Sequence, residues 1–268
     1  MKKIGWTLLA VVFLVSCNKP EIPEINTDIA EAYLEFYEKG VSDKPGAEKA
    51  LERARTGDSN NGYTDYLSAW MKIQSQDYNG SLSDMKAGNV KPKVIIYVTA
   101  PPPADSMQSL GRVRQVGFST AKFEEFSVIA PDYFSECRKM GARVAQAEPV
   151  CSLSVLNGAG VIRKSFQSEI DFWKSKKDLK RAKVVEDQLL EFATWYDSFQ
   201  KALSEKVTDL VGDAAKAAGM TESEKMDYAQ GKPIADQRKA EIADKKRLEL
   251  YAEEVAALRR MLKTMPGK

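Results

Sequence analysis

The sequence predicts an all-α protein, and three patterns lead to that prediction. Residues 27–90 contain two helix–turn–helix units in succession. Residues 179–265 carry apolar side chains at steps of three and four, which is the spacing of a buried helix face. Only residues 93–99 are rich in β-branched side chains, and the neighbouring sequence offers them no partner strand. We therefore expect helix pairs followed by a long C-terminal helical hairpin.

The two N-terminal units share one kind of turn, which makes them a weak internal repeat. The first unit has the turn DKPG at residues 43–46, and the second has DYNG at residues 77–80. In both units a longer helix precedes the turn and a shorter helix follows it. The first helix is expected to begin with Thr27 as its N-cap and to end at Gly40. The helices expected in the two units are 29–38 and 47–55, then 63–74 and 81–87.

These units resemble tetratricopeptide repeats. The turn at residues 77–80, followed by Ser81, is similar to the turn and the small second-helix residue of that family, and ALERA at residues 50–54 is similar to a second helix. The second unit departs from the family because Asp65 and Ser68 stand where large apolar residues are usual. The resemblance implies a short superhelix of helix pairs. Two ordinary helical hairpins with a coincidental offset are the alternative.

The middle of the chain is expected to continue as helix pairs. Residues 93–99 form either a buried helix or an extended segment, and the three prolines at residues 101–103 end it with a stiff connector. The helices expected after this connector are 106–117, 119–129, 132–146 and 151–173, the last interrupted by Gly158 and Gly160.

The C-terminal part is expected to fold as an antiparallel hairpin. One long amphipathic helix covers residues 179–210, and Gly212 and Gly219 are expected to interrupt the chain after it. Thr221 and Glu224 have the spacing of a capping box for a short helix. The last helix carries a seam that is expected to pack against the long helix, formed by Leu248, Tyr251, Val255, Leu258, Leu262 and Met265.

The N-terminal segment, residues 1–17, has the organisation of an export signal. Lys2 and Lys3 precede an uncharged apolar run at residues 4–15, which at about 12 residues is shorter than the ~20 that a transmembrane helix needs. The run ends in Leu14-Val15-Ser16-Cys17, which resembles the lipobox of bacterial lipoproteins. The resemblance implies that Cys17 is acylated, with palmitate as an expected chain, and becomes the first mature residue. It also implies that Asn18, in place of aspartate, directs outer-membrane sorting if the cell has two membranes.

The absence of histidine and the balance of charges exclude several classes of function. The chain contains no histidine, which excludes Ser-His-Asp hydrolases, Cys-His proteases and zinc sites that use histidine. Of 40 basic residues, Lys2 and Lys3 are lost with the signal, so the mature chain balances its 38 acidic residues and is formally neutral. Nothing in this balance indicates a polyanion partner. We expect no nucleic-acid partner, no metal and no cofactor.

Two cysteines remain once Cys17 is acylated. Cys137 and Cys151 would meet an oxidising compartment, where an even pair usually bonds, and closing this loop would stabilise the fold by ~3 kcal/mol. A straight helix over residues 132–146 would hold the two residues about 14 Å apart, which is too far. We therefore expect the disulfide together with an early end of that helix, at Gly141.

Three motifs resemble pieces of catalytic or binding sites. Ser119-Thr120-Ala121-Lys122 resembles the S-x-x-K of penicillin-binding proteins and β-lactamases, but no K-T-G follows it. Glu222-Ser223 resembles the Glu-Ser of lytic transglycosylases, whose next element is missing here. Gly158-Ala159-Gly160 before Lys164 and Ser165 lacks the glycine that precedes the lysine of a phosphate loop. We assign capping to the two serine motifs and close helix packing to the glycines.

An aromatic group and a basic run complete the candidates. The aromatic residues are expected to pack in the core, with a ligand groove as the alternative; they are Trp173, Trp195, Tyr196 and Phe199. The basic run KSKKDLKRAK at residues 174–183 is expected to be a solvated helix face, with attraction to anionic lipid headgroups as the alternative.

The sequence thus predicts a protein of four parts. Residues 1–16 are the signal peptide, 17–26 a lipidated tether, 27–175 the domain of helix pairs and 176–268 the helical hairpin. With no catalytic set, we expect a binding or scaffold module for another protein of the cell envelope, attached to the membrane through Cys17. The alternative is an exported enzyme that acts on carbohydrate or peptidoglycan with carboxylates, for which the sequence nominates no pair.

Overall fold

The computed structural model describes residues 27–40, 42–96, 112, 128–148, 150, 152–229 and 232–266. Within these residues the regular structure is helical, with two isolated β-bridges, which confirms the all-α prediction. The helices are α1 (Thr27–Lys39), α2 (Lys44–Gly57), α3 (Gly62–Gln74), α4 (Tyr78–Val90), α5 (Ala130–Ala145), α6 (Ser152–Ser175), α7 (Leu179–Ala217), α8 (Glu222–Ala229) and α9 (Gln237–Leu262).

Most helices pack against their neighbours in sequence. Antiparallel pairs form between α1 and α2, α3 and α4, α5 and α6, and α6 and α7. Helices α4 and α5 run parallel: the hydroxyls of Ser81 and Tyr133 lie 3.1 Å apart near the two helix starts, and Arg143 donates to the Lys91 carbonyl at 2.5 Å beyond the end of α4. The predicted order of helix pairs is therefore confirmed in the described residues.

The turns of the two N-terminal units have the same geometry. Asp43 caps α2 by accepting from the Gly46 amide at 3.1 Å, and Asp77 caps α4 by accepting from the Gly80 amide at 2.8 Å. An ideal Cβ on Gly46 or Gly80 would lie 2.2 or 2.1 Å from the capping carboxylate, so a larger residue there would require that side chain to shift. Because the cap comes first, both helices start one turn earlier than the sequence pattern predicts.

The β-branched stretch is extended where the structure describes it. The Gly62 amide donates to the Lys93 carbonyl at 3.0 Å, and the Glu148 amide donates to the Val94 carbonyl at 2.8 Å. The side chain of Asn61 exchanges two hydrogen bonds of 2.9 Å with the backbone of Ile95. Of the two conformations predicted for residues 93–99, the extended one is therefore correct for 93–96. The partners were not predicted because they are distant in sequence; residues 97–105 lie outside the described residues.

Close approach of α5 and α6 explains two glycine positions. An ideal Cβ on Gly158 would lie 2.3 Å from the Gly141 carbonyl oxygen, and one on Gly141 would lie 2.7 Å from the Gly158 carbonyl oxygen. Both helices continue through these residues, so the predicted early end at Gly141 and the predicted interruptions at Gly158 and Gly160 are wrong. Gly141 and Gly158 permit the helices to touch rather than ending them.

Two hydrophobic cores share α6. The first core lies among α1 to α5 and includes Phe172 of α6, whereas the second joins α6 to α7 and α9 and includes Phe166 and Ile170. The predicted domain boundary after residue 175 thus falls at the end of a helix that belongs to both cores.

The C-terminal hairpin is antiparallel, as predicted. Trp195 of α7 donates to the Thr264 hydroxyl at 3.2 Å, and Lys206 lies 3.2 Å from Glu253. Helix α7 is longer than predicted because it passes through Gly212; its end is at Gly219, which has a φ of +64°. The capping box of α8 is confirmed by two reciprocal hydrogen bonds, of 2.7 and 3.3 Å, between Thr221 and Glu224.

The predicted seam of α9 is correct in its C-terminal half. Leu258, Leu262 and Met265 are buried against α7, and Val255 packs partly against the same core. Leu248 is 49% exposed, and Arg247 is buried in its place. The seam prediction is therefore wrong at Leu248, and the side chain of Tyr251 lies outside the described residues.

Candidate functional site: an aromatic cage around a guanidinium group

A largely buried aromatic cluster forms where α1 packs beside α3. Phe36 and Trp70 are separated by the offset of the two N-terminal units and hold equivalent positions in them. Their rings meet edge to face with centroids 6.0 Å apart, and Tyr37 lies next to Phe36 at 5.5 Å. The two helices run parallel, since the Tyr33 hydroxyl also lies 2.6 Å from that of Thr64. Corresponding residues of the two units are therefore brought side by side.

The guanidinium group of Arg112 lies against these three rings. Its central carbon is 5.3 Å from the Phe36 centroid, 5.2 Å from that of Tyr37 and 4.8 Å from that of Trp70. All three distances are within the ~6 Å over which a ring quadrupole attracts a cation. Nη2 of Arg112 also donates a hydrogen bond of 2.9 Å to the Tyr37 carbonyl. We call the set of Phe36, Tyr37, Trp70 and the backbone at Gly40 the guanidinium cage.

The end of α1 supplies the polar side of the guanidinium cage. The last carbonyls of a helix have no intrahelical donor and carry the negative end of its dipole, so they attract a cation. The Gly40 amide caps the Phe36 carbonyl at 2.9 Å, and the next carbonyl, that of Tyr37, accepts from Arg112. Gly40 has a φ of +52°, and an ideal Cβ there would lie 3.5 Å from Nη2. The positive φ would strain the backbone of a residue with a side chain at this position, whereas the Cβ itself would make only an ordinary contact with the guanidinium.

The two departures from the tetratricopeptide pattern form polar contacts between helices. Asp65 is buried, and its carboxylate lies 3.6 Å from Arg55 and 3.5 Å from Lys91. Ser68 donates to Asp84 at 2.6 Å. Ion pairs and hydrogen bonds therefore connect α2, α3 and the end of α4 where the family uses apolar contacts.

Burial, opposed by its two cationic neighbours, raises the pKa of Asp65 above its ordinary value of 3.8. The folded protein therefore holds this proton more tightly than the unfolded chain does. The resulting stabilisation is fully present below pH 3.8 and is lost as the pH rises through the folded-state pKa. We expect Asp65→Asn to remove this fall in the free energy of unfolding, measured by urea denaturation across the acidic range.

Asp132 provides the matched control for Asp65. Its hydrogen bond from Lys86, of 2.8 Å, lowers the pKa of this exposed carboxyl. The contribution of this carboxylate to the free energy of unfolding is present above the ordinary pKa of aspartate and is lost as the pH falls. Asp132→Asn should therefore change the dependence of the free energy of unfolding on pH in the opposite sense to Asp65→Asn. Equal profiles for wild type and Asp65→Asn would contradict the prediction.

The predicted cysteine sites are only partly within the described residues. Cys17, the predicted lipid attachment site, and Cys151 lie outside them. Cys137 carries a free thiol that is fully buried on α5 and donates to the Met85 sulfur at 3.7 Å, and burial raises its pKa. Because α5 continues to Ala145, the early end that the disulfide required does not occur. Because the Cys137 thiol is free, the predicted disulfide with Cys151 is not formed in this structure.

The three motifs that resemble catalytic or phosphate-binding sites make ordinary packing and capping contacts where the structure describes them. Ser165 donates to the Phe134 carbonyl at 2.7 Å inside the α5–α6 contact, and Gly158 forms the close crossing. Glu222 is exposed in the first turn of α8, 3.9 Å from Lys225. Ser119 and Lys122 lie outside the described residues. The packing role predicted for the glycine motif is therefore confirmed for Gly158.

The aromatic residues of α6 and α7 belong mainly to the second core. Phe199 is buried and stacks on Trp195 with centroids 5.3 Å apart, and Tyr196 packs partly against the same core. Trp173 is partly buried, with Arg181 4.6 Å above its ring. The predicted core role is therefore confirmed for Phe199, whereas Trp173, Trp195 and Tyr196 pack half-buried at the edge of the core.

The basic run forms the exposed turn between α6 and α7. Lys174 pairs with Glu186 and Lys183 with Asp187, each at 2.9 Å, while Lys177 and Lys180 are solvent-exposed. This arrangement is that of a solvated helix face, as predicted.

The guanidinium cage was not predicted from the sequence. The offset of the repeat pairs Phe36 with Trp70 and was a usable signal, but Arg112 lies 75 residues after Tyr37 and nothing in its local pattern links the two. Among the described residues, no group of three or more metal-ligating side chains occurs, and no helix there has the length and apolarity to cross a membrane. Comparison of the chain with protein-family models, curated proteins and solved structures found no match.

Proposed function

We propose that this chain is a lipid-anchored protein of the cell envelope that binds or scaffolds another envelope protein through its helix pairs. The observation that carries the proposal is the N-terminal sequence, in which two lysines and an apolar run end in Leu14-Val15-Ser16-Cys17. The tether at residues 17–26 contains Pro20 and Pro23 and spaces the fold from the bilayer. In a cell with two membranes, Asn18 favours the outer membrane with the fold facing the periplasm.

The arrangement of the helices supports a binding surface away from the anchor. The start of α1 lies beside the end of α2, because an ideal Cβ on Gly57 would be 2.7 Å from Ile29. Helix α1, with 13 residues and a length of ~20 Å, then leads away from the tether to the guanidinium cage at its other end. The exposed faces of the helix pairs are the surface that we assign to partner binding.

The buried and half-buried carboxylates support a structural network rather than a catalytic pair. Asp84 pairs with Lys72 at 2.9 Å, and Glu136 accepts from Asn89 and from Lys139, each at 2.7 Å. Each carboxylate is thus neutralised by a neighbour across or along a helix. The carboxylate-dependent enzyme stays an alternative prediction without a nominated pair.

Site-specific photo-cross-linking in living cells tests the proposed function. A benzophenone amino acid at Glu38, an exposed position on α1, is expected to yield a discrete adduct with one envelope protein. The same amino acid at Glu205, which is exposed on α7, is the matched control and should not yield this adduct. An adduct that Glu38 and Glu205 share, or no adduct from any exposed position of α1 to α4, would contradict the binding role.

A further inference from the structure

The turn between α6 and α7 concentrates positive charge on an exposed part of the fold. Residues 174–183, which we call the basic turn, contain one acidic residue and six basic ones, namely Lys174, Lys176, Lys177, Lys180, Arg181 and Lys183. Three of the six lie within 2.9–3.3 Å of a carboxylate. Lys177 and Lys180 are exposed and have no acidic partner in the described part of the chain. Since the whole chain carries a formal charge of only +2, the basic turn is a local excess of positive charge.

Leu179 is an exposed apolar side chain between these two lysines. It is the first residue of α7 and is 69% exposed, whereas Ala182 and Val185 further along the helix are buried. A single exposed leucine is ordinary on a protein surface, so its position is what matters here. An apolar side chain surrounded by lysines and arginines is the combination with which proteins attach to the interface of anionic membranes.

We propose that the basic turn docks on a bilayer surface that carries anionic headgroups, with Leu179 entering the boundary between the headgroups and the acyl chains. The inference rests on the proposed function, because the lipid on Cys17 is what holds the fold at a membrane. Each lysine or arginine near such a surface favours the docked state by about fivefold. A single point of attachment sets no orientation, so the second contact fixes which end of the fold faces the bilayer.

The backbone holds the basic turn as a compact tip. Lys177 has a φ of +58°, and the amides of Lys177 and Asp178 each donate a hydrogen bond of 2.9 Å to a carbonyl of the last turn of α6. Asp178 also caps α7 by accepting from the Arg181 amide at 3.0 Å. The basic side chains therefore come from both sides of one tight turn and surround its tip. A tip of this kind matches a flat array of phosphates, whereas a groove would be needed to enclose a small anion.

The tether is long enough for the basic turn to reach the bilayer. Phe172 near the end of α6 contacts Phe134 near the start of α5, with centroids 5.8 Å apart, so the turn lies at the end of the fold where α4 and α5 start. Helix α1 starts at the opposite end, because it runs parallel to α3, and its length is ~20 Å. The ten residues of the tether span as much as ~30 Å at the rise of an extended proline-rich chain. The lipid and the basic turn can therefore reach the same bilayer.

Fluorescence quenching of the full-length lipidated protein on vesicles tests the proposal. A dansyl amino acid replaces Leu179, and the vesicles contain a lipid with a nitroxide at the headgroup boundary. Their other lipid is either phosphatidylcholine alone or an equal mixture of phosphatidylcholine and phosphatidylglycerol. We expect quenching on the mixed vesicles and at least about fivefold less on phosphatidylcholine alone. Leu190 is the matched control position, since it is 67% exposed on the same face of α7 and ~16 Å further along, and a dansyl group there should not be quenched.

Paired charge variants separate docking of the basic turn from general attraction to the vesicles. Lys177→Gln with Lys180→Gln should lower the docked population more than about tenfold, because two contacts of about fivefold each are lost. Lys201→Gln with Lys216→Gln removes the same charge from exposed positions of α7 outside the turn and should leave the quenching unchanged. Equal quenching of the two paired variants would overturn the proposal.

The outcome on the two kinds of vesicle separates this proposal from the proposed function. No quenching at residue 179 on the mixed vesicles would overturn the docking and leave an acidic protein as the occupant of the basic turn. Equal quenching at residue 179 on both kinds of vesicle would overturn the role of anionic headgroups. Recovery of the protein with phosphatidylcholine vesicles reports the lipid anchor alone. Quenching is measured at saturating lipid, so failure of the anchor is recognised separately from failure of the basic turn to dock.

Discussion

Gly158→Ala is expected to lower the free energy of unfolding by about 3 kcal/mol or more, because the new methyl group would collide with backbone atoms. An ideal Cβ at this position lies 2.3 Å from the Gly141 carbonyl oxygen and 2.6 Å from the Ala145 amide nitrogen. These two backbone atoms are fixed by the hydrogen bonds of α5 and cannot rotate away from the new methyl group, as the end of a flexible side chain could. The clash is therefore relieved only if α5 and α6 separate, which opens the contact between the two cores.

Chemical denaturation followed by circular dichroism measures this effect. Gly212→Ala is the matched control, because Gly212 is also inside a helix but its ideal Cβ meets only the end of Lys225, at 3.8 Å or more. Alanine there should raise the free energy of unfolding by roughly 0.5–1 kcal/mol, through its higher helix propensity. If both variants are stabilised alike, the close crossing of α5 and α6 is not present in solution.

Local patterns predicted the helices and their turns well. The apolar spacing located α1, α3, α7 and α9, and the repeated aspartate and glycine located the two equivalent turns, although not their capping aspartates. These features depend on residues within one helical turn of each other, so they can be read from adjacent sequence. The antiparallel hairpin of α7 and α9 followed from the same periodicity.

Most errors in helix boundaries arose at glycine. Gly141, Gly158 and Gly212 were interpreted as helix ends or interruptions, yet all three lie inside continuous helices. Glycine weakens a helix by only about 1 kcal/mol, and tertiary packing over α5, α6 or α7 outweighs that cost. Whether a glycine ends a helix or permits a close crossing depends on the partner helix, which the local sequence does not specify.

Contacts between residues distant in sequence could not be predicted for the same reason. The extended residues 93–96 are held by Asn61 and Glu148, and the guanidinium cage joins Arg112 to α1 and α3. Asp65 was noticed only as a departure from a repeat pattern, and its ionic partners Arg55 and Lys91 became visible once the helices were packed. Such contacts depend on which helices become neighbours, so periodicity within one helix cannot reveal them.

Cys17→Ala is expected to abolish lipid attachment completely, which is the largest functional effect that we predict for a single residue. The lipobox resemblance implies that the lipid is attached at the Cys17 thiol, and alanine offers no nucleophile in its place. Labelling of growing cells with an alkyne-tagged palmitate should mark wild type and leave the variant unmarked. The unprocessed variant should also retain its signal sequence and migrate more slowly on a denaturing gel.

Asn18→Asp is the control that separates acylation from sorting. This variant should keep the palmitate label, because Cys17 is unchanged, but in a cell with two membranes it should shift from the outer to the inner membrane. Palmitate on Cys17→Ala would contradict the assignment of the attachment site, and loss of palmitate from Asn18→Asp would show that the two steps cannot be separated. The same variant also tests whether the Glu38 adduct depends on the membrane to which the protein is sorted. Asn18→Asp should lose the adduct if the partner resides at the outer membrane, because the variant's location changes while its helix pairs do not.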